Sequence, residues 1–195
     1  MLAFDTSVHP DAARVVKAVK DWAYDTARGE QRGLVLYSTG FGAGKTHLAR
    51  RAAEYVASWQ VADDLGVVTH KRVTLFNAVE FFGQIKDAYA ENKPVGRLFD
   101  VWAGAPLVMD DLGKSYTRDG SEGWAQEQLY RVIDRIHTGG YSIFITSNLA
   151  PAEMERVVGG AAWSRVMGIC GRPGTIIDLS SWPDYRVRGW QRKGL

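Results

Sequence analysis

Apolar residues recur along the chain with two spacings, one typical of helices and one typical of strands. One face of a helix predicted over residues 11–28 carries Ala12, Val15, Val16, Val19, Trp22 and Ala23. Short apolar runs predict five strands, at Leu34–Ser38, Val73–Phe76, Leu107–Met109, Ser142–Thr146 and Thr175–Leu179. The alternation of strands and helices predicts an α/β fold, in which helices cover both faces of a parallel five-stranded sheet.

Helical patterns fill the segments between the predicted strands. The first follows a glycine-rich loop, and Asn77 with Glu80 three residues later forms a capping box that begins the next. Apolar residues at helical spacing predict another helix around Ile133, and Pro151 begins a short one. Ligands of such sheets bind beyond the carboxyl ends of the strands. The motifs that carry candidate chemistry all follow predicted strands.

Composition narrows the class of protein. The chain has 195 residues, of which 46% are hydrophobic and 24% charged, as expected for one globular domain with or without a short tail. It contains no apolar run long enough for a membrane span and no secretory signal, so we expect a cytoplasmic protein. The single cysteine, Cys170, forms no internal disulfide and is interpreted as a small apolar filler. The formal net charge of +2 does not by itself indicate nucleic-acid binding, although 70–72 and 186–193 are locally basic.

The segment 34–49 has the order of a phosphate-binding P-loop: an apolar strand, a glycine-rich loop and a helix opened by Lys-Thr. Glycines allow the backbone to approach a polyphosphate, Lys45 adds a positive charge, and the Thr46 hydroxyl can bind Mg²⁺. The usual spacing asks for glycine where Thr39 stands. The alternative is a glycine-rich turn followed by a chance Gly-Lys-Thr. The predicted nucleotide-binding residues here are Gly40, Phe41, Gly42, Ala43, Gly44, Lys45, Thr46 and His47.

Two acidic residues follow the third predicted strand. Asp110 is expected to bind Mg²⁺ and Asp111 to activate the attacking water, unless Asp111 only caps the next loop. At the end of the fourth strand, Asn148 either holds that water against the γ-phosphate or caps a turn before Pro151. Together with Thr46, Asp110 forms the predicted metal site. The predicted ligands are therefore ATP and Mg²⁺.

The chain resembles the AAA+ ATPase domain of the DnaC/DnaI-type bacterial helicase loaders and the related IstB transposition helper ATPases. The resemblance covers nearly the whole chain in the family's order. The motifs that carry it are Gly-Lys-Thr-His-Leu-Ala at 44–49, Val-Thr-Leu-Phe-Asn at 73–77, Asp-Asp-Leu-Gly at 110–113, Leu-Tyr-Arg-Val-Ile-Asp at 129–134, Thr-Ser-Asn-Leu at 146–149, Ser-Arg-Val at 164–166 and Asp-Tyr-Arg at 184–186.

The resemblance implies roles for single residues. It places Asn148 at the sensor I position, and Arg165 at the arginine finger that reaches the γ-phosphate held by a neighbouring subunit. Arg186 matches a late arginine near the nucleotide, and Phe4-Asp5 matches a lead-in segment near the adenine. A surface ion pair is the alternative for Arg165. The catalytic residues implied are thus Asp111, Asn148 and Arg165.

The resemblance also implies how the chain is divided into segments. We expect a lead-in segment and helix at 1–30, an AAA+ core at 31–182 and a basic C-terminal tail at 183–195, with no separate helical lid domain. Full-length loaders carry an N-terminal helicase-binding domain, which is missing ahead of this core. The sequence is then either a shortened chain or a short, phage-like relative that binds its partners differently.

The leading hypothesis is an ATPase that loads a replicative DnaB-type helicase onto single-stranded DNA and assembles as a homo-oligomer through its arginine finger. The alternatives are an IstB-like helper of a transposase, a small-molecule P-loop kinase and a nucleotide-gated scaffold with weak hydrolysis. A kinase needs an arginine-rich lid, which the middle of the sequence lacks. The residues expected to contact DNA are Lys71, Arg72, Lys114 and Arg118.

Overall fold

The computed structural model describes residues 6–7, 9–62, 64–96, 99, 104–113, 122–171 and 174–186. In chain order the elements of this part of the chain are α1 (Ala12–Arg28), β1 (Gly33–Tyr37), α2 (Lys45–Ala57), β2 (Gln60–Ala62), β3 (Val68–His70), β4 (Thr74–Asn77), α3 (Ala78–Ala90), β5 (Leu107–Leu112), α4 (Glu122–Thr138), β6 (Ile143–Ser147), α5 (Pro151–Val158), α6 (Gly160–Cys170) and β7 (Ile176–Asp178).

Five strands form one parallel sheet in the order β4-β5-β6-β1-β7. The predicted fold class is therefore confirmed, and the predicted strand bounds differ by a residue or a few. The largest difference is at β5, which runs on to Leu112 and so includes both acidic residues. The described residues after β7, 179–186, carry no helical domain of their own.

The two faces of the sheet bury alternate residues of each strand. Leu34 and Leu36 of β1 pack with Val108 and Phe144 against α1 and α2, whereas Val35 packs into the core formed with α3, α4, α5 and α6. This alternation follows from the two-residue period of a strand. Helices on both faces leave the two ends of the sheet as the places where polar side chains can gather.

Three of the described elements have no counterpart in the sequence-based assignment. Strands β2 and β3 form an antiparallel hairpin whose described residues are all exposed. Helix α6 buries Ala162, Trp163, Val166, Ile169 and Cys170 on one side at helical spacing, and Gly160 and Gly168 within it lower its intrinsic helix propensity. None of the described helices combines the length and apolar character that crossing a bilayer requires.

Cys170 is buried, and burial raises the pKa of its thiol to about 11. The thiol therefore stays protonated at neutral pH, in keeping with a filler role. Cys170 is the last residue of α6 and packs directly against Gly33, the first residue of β1. A Cβ added to Gly33 would lie 2.6 Å from Cys170 Sγ and 2.7 Å from its backbone nitrogen. Only glycine fits this contact between helix and sheet.

We expect Gly33→Ala to lower the free energy of unfolding by about 1–3 kcal/mol, because backbone atoms of α6 must move to admit the methyl group. The measurement is urea denaturation followed by tryptophan fluorescence. Gly83→Ala is the matched control, since Gly83 lies within α3 and a Cβ there meets nothing within 4 Å. The control should be neutral or slightly stabilising. Equal effects of the two substitutions would contradict the packing argument.

Candidate functional site

A cavity of about 630 Å³ opens at the carboxyl ends of β1, β5 and β6. It joins the glycine-rich loop, both acidic residues of β5 and the polar end of β6. The lining residues are Phe41, Gly42, Ala43, Gly44, Lys45, Thr46, His47, Arg50, Asn77, Asp110, Asp111, Thr146, Asn148, Tyr185 and Arg186. Every predicted nucleotide-binding or metal-binding residue thus lines this cavity except Gly40, which lies in the loop beside it.

The glycine-rich loop leads into α2 with backbone conformations that glycine adopts readily. Gly42 has φ of 74° and Gly44 has φ of 83°, both in the left-handed region. Gly44 is the N-cap of α2 and supplies no side-chain cap, so the first N–H groups of the helix are left for another acceptor. An uncapped helix N-terminus beside a lysine suits a phosphate group.

Lys45 lies in the interior of the site with 8% of its surface exposed. Its Nζ donates a hydrogen bond of 2.8 Å to Asn148 Oδ1. Burial lowers the pKa of Lys45, and the charges of Asp111 and Asp110 oppose that shift. The Lys45 ammonium group therefore has polar partners within the protein. A phosphate group in the cavity would compete with Asn148 for its hydrogen bonds.

Asp110 and Asp111 both line the cavity, although they are consecutive residues of β5. Asp110 Oδ1 accepts hydrogen bonds from the Thr46 hydroxyl at 2.9 Å and the Thr146 hydroxyl at 2.6 Å. Asp111 has φ of 58°, and its Oδ1 accepts a 2.8 Å hydrogen bond from Asn148 Nδ2. A continuous set of contacts thus runs from Lys45 through Asn148 to Asp111.

The oxygen atoms at Thr46 and Asp110 fit a hard divalent cation. Because the Thr46 hydroxyl donates a hydrogen bond to Asp110, the lone pairs of the Thr46 oxygen remain to face the cavity. In the described part of the chain no cluster of three or more His, Cys, Asp and Glu residues could hold a metal by itself. Mg²⁺ typically binds through one or two carboxylates together with substrate phosphates. The donor set therefore fits Mg²⁺ that arrives with a nucleotide.

The C-terminal segment closes one side of the cavity. The backbone N–H of Tyr185 donates to Gly42 O at 3.1 Å, and Arg186 lines the cavity close enough for its charge to contribute to the lowered pKa of Lys45. A Cβ on Gly42 would lie 1.8 Å from Asp184 Oδ1, so this carboxylate packs directly on the loop. The same oxygen accepts a 2.8 Å hydrogen bond from the Arg186 N–H.

Arg165 lies on α6 and is not among the residues that line the cavity. Its Nε donates to Asp134 Oδ1 at 2.6 Å, and its Nη2 donates to the Tyr130 hydroxyl at 2.9 Å. Its Nη1 donates to Ala161 O at 2.9 Å, and the guanidinium carbon lies 4.6 Å from the centroid of the Tyr130 ring. The guanidinium is therefore held by residues of α4 and α6 rather than by residues that line the cavity.

Sequence reasoning missed four of the residues that line the cavity. Arg50 lies one helical turn beyond Thr46, and helical spacing could have found it. Thr146 precedes Asn148 by two residues on the same side of β6, a position that strand alternation points to. The sequence predicts Asn77 only as a helix cap and gives Tyr185 only as part of a motif. Asn77 does cap α3, accepting a 2.8 Å hydrogen bond from Val79 N.

The residues expected to contact DNA lie elsewhere or outside the described ranges. Lys71 Nζ donates to the carbonyl oxygens of Ala27 at 2.6 Å and Thr26 at 3.3 Å, which caps the end of α1. Lys71 and Arg72 line a second cavity, of about 320 Å³, at the opposite end of the sheet. Lys114 and Arg118 fall outside the described residues, as do Phe4-Asp5 and the tail beyond Arg186.

Comparisons with known proteins give matches among solved structures. No protein-family model and no curated protein matches the chain. The DnaC helicase loader is 20% identical, with 88% of this chain and 90% of that one aligned at a TM-score of 0.65. DnaI is 19% identical, with 90% of each chain aligned at a TM-score of 0.60.

The replication initiator DnaA, solved with AMPPCP and single-stranded DNA, is 16% identical at a TM-score of 0.64. That alignment covers 91% of this chain and 47% of that one. The chain spans 47% to 62% of the length of the DnaA structures that it matches. The matches to DnaC and DnaI extend over nearly the full length of both partners. The chain therefore has the fold of these P-loop AAA+ structures, a five-stranded parallel sheet flanked by helices.

Proposed function

We propose that this protein binds and hydrolyses ATP in a Mg²⁺-dependent reaction and acts in DNA replication as a loader of a DnaB-type helicase onto single-stranded DNA. The ATPase part of the proposal rests on the hydrogen bonds that join Lys45 to Asn148 and Asn148 to Asp111. Beside them, the Thr46 hydroxyl donates a hydrogen bond to Asp110. The replication part is supported by the likeness to DnaC and DnaI and by a DnaA structure that holds an ATP analogue and single-stranded DNA.

The chain's own groups are placed to do this chemistry. The N–H groups of the loop and of the first turn of α2 bind the phosphates, and Lys45 neutralises their outer charge. A bound triphosphate draws the Lys45 ammonium away from Asn148, whose carbonyl oxygen then accepts a hydrogen bond from the attacking water. Asp111, held by the Asn148 amide, orients that water and takes up its proton. Thr46 and Asp110 would hold Mg²⁺, which would supply neutralisation of the charge that develops on the phosphates.

Two arginines complete the proposed site. Arg186 approaches the nucleotide from the C-terminal segment of the same chain. Arg165 acts on the γ-phosphate held by an adjacent subunit, because its own contacts hold it on α6 away from the cavity. A guanidinium stabilises charge that spreads over the transferred phosphoryl group. The oligomer, rather than the single chain, then carries the complete active site.

Two variants should distinguish the residues needed for ATP binding from those needed for ATP hydrolysis. Lys45→Ala should weaken ATP binding strongly, since the phosphates lose a buried cation. Asp111→Asn should bind ATP nearly as the parent protein does but turn over roughly 100-fold or more slowly, because it removes the group that takes up the proton. Titration with a fluorescent ATP analogue and phosphate release measure the two effects. Unchanged affinity in Lys45→Ala, or normal turnover in Asp111→Asn, would contradict the corresponding role.

Arg165→Ala should bind ATP normally and hydrolyse it at least ~10³-fold more slowly. Mixing it with Lys45→Ala should restore part of the activity, because a Lys45→Ala neighbour lends its Arg165 to a subunit that still holds ATP. Arg131→Ala on α4 is the matched control, since Arg131 pairs with Glu127 on the exposed surface. A mixture no more active than its separate components, or turnover independent of protein concentration, would exclude a finger acting between subunits.

Binding of single-stranded DNA should require ATP-driven assembly and weaken steeply with salt, as phosphate contacts by lysine and arginine do. Fluorescence anisotropy with a single-stranded oligonucleotide and with a duplex of the same length tests this, with and without AMPPCP. Lys45→Ala should not bind DNA under either condition. The expected contacts are Lys71, Arg72, Lys114 and Arg118.

The comparison of single-stranded with duplex DNA, together with a helicase-loading assay, separates the loader from its alternatives. A helicase-loading assay on circular single-stranded DNA should show ATP-dependent loading of the DnaB-type helicase. Preference for the duplex, with capture of a transposase in place of the helicase, would favour an IstB-like helper. Tight nucleotide binding with no measurable hydrolysis would favour a nucleotide-gated scaffold, for which Thr39 in place of glycine gives a reason.

A further inference from the structure

The pairing of β5 with β6 contains one extra residue on the β5 side. Met109 pairs with Ile145 and Leu112 pairs with Ser147, so Asp110 and Asp111 both lie opposite Thr146. This is a β-bulge, and Asp111 takes the left-handed conformation, with φ of 58°, that aspartate tolerates better than most residues. Consecutive residues of a regular strand point to opposite faces, whereas the bulge lets both acids line the cavity.

The Thr146 side chain bridges the two acids at this bulge. Its hydroxyl accepts a 2.9 Å hydrogen bond from the Asp111 N–H, which has lost its regular place in the pairing with β6. The same hydroxyl donates a hydrogen bond of 2.6 Å to Asp110 Oδ1. Thr146 is only 1% exposed, and its branched Cβ restricts its rotamer. One buried hydroxyl therefore connects the backbone of one acid with the carboxylate of the other.

We propose that Thr146 is a positioning residue that holds Asp111 in its bulged conformation and aims the Asp110 carboxylate at the cation that accompanies the nucleotide. The inference rests on the proposed function, because it assigns a task to the same two acids. A hydroxyl is the group that can accept from an N–H and donate to a carboxylate at once. Valine has nearly the same shape and can do neither.

Substitutions at Thr146 and at a matched serine test the proposal. Thr146→Val removes the hydroxyl, and Thr146→Ser keeps it. Ser142 lies just before the opposite end of β6, is 2% exposed and also bridges two backbone groups, the Arg32 N–H and Glu30 O, each at 3.0 Å. Ser142→Ala therefore removes a comparable buried hydroxyl far from the cavity. It measures the loss of stability that any such change produces.

The first readout is the melting temperature at fixed ADP as the Mg²⁺ concentration rises. Thr146→Val should need roughly 10- to 100-fold more Mg²⁺ for half of the stabilisation, as expected when a group that orients a metal ligand is lost. Thr146→Ser should return the midpoint close to that of the parent protein. Ser142→Ala should melt at a lower temperature with an unchanged Mg²⁺ midpoint. In steady-state kinetics, Thr146→Val should lower kcat more than it changes KM for ATP.

A parent-like Mg²⁺ midpoint in Thr146→Val would overturn the inference, whatever the melting temperature. If that variant does not fold, Thr146→Ala carries the same comparison. A further measurement uses the unaltered protein. The backbone amide hydrogen of Asp111 should exchange slowly with solvent, because it is hydrogen-bonded to the Thr146 hydroxyl oxygen. Rapid exchange of that amide would also overturn the inference. Failure of the proposed function is distinguishable, since a parent protein that shows Mg²⁺-dependent ADP binding without ATP hydrolysis would contradict catalysis and leave the Thr146 test in force.

Discussion

The buried ammonium group of Lys45 is the constraint on which the rest of the candidate site depends. A cation with so little exposed surface is costly to bury unless polar or anionic groups surround it. Asn148 accepts its hydrogen bond, and Asp111 and Asp110 favour its charged form. These partners come from the ends of β6, which pairs with β1, and of β5, which pairs with β6 on its other side. The strand order therefore decides whether the lysine can be buried as a charged group.

The conformation of the phosphate-binding loop depends on residues from the other end of the chain. Ser180 Oγ accepts a 3.0 Å hydrogen bond from the Thr39 N–H, and Tyr185 donates to Gly42 O. Asp184 packs on Gly42 so closely that any side chain at that position would displace it. The substitution of glycine by threonine at position 39 thus occurs where the C-terminal segment already fixes the backbone. A change in that segment would reach the nucleotide through the loop.

Much of the fold could be predicted because its signals are local. The five strands, the loop before α2 and the two carboxylates near the end of β5 follow from apolar runs, glycine spacing and the rule that ligands bind at strand ends. The bulge at Asp111 and the bridging role of Thr146 depend on the register between two strands, which a single sequence does not specify. The partners of Arg165 also come from tertiary packing, since Asp134 and Tyr130 lie more than a helix away along the chain.

The contacts of Arg165 bear on how an assembly could use it. An exposed ion pair contributes little to stability, but several contacts acting on one guanidinium restrict its orientation. Asp134, Tyr130 and the Ala161 carbonyl engage three of its N–H groups, and a guanidinium has others to offer an anion. Ordering a long side chain is among the costs of association, and the contacts within this chain already order Arg165. If Arg165 acts on a neighbour's nucleotide as proposed, the contacts that hold it away from its own cavity are those that prepare it for the next one.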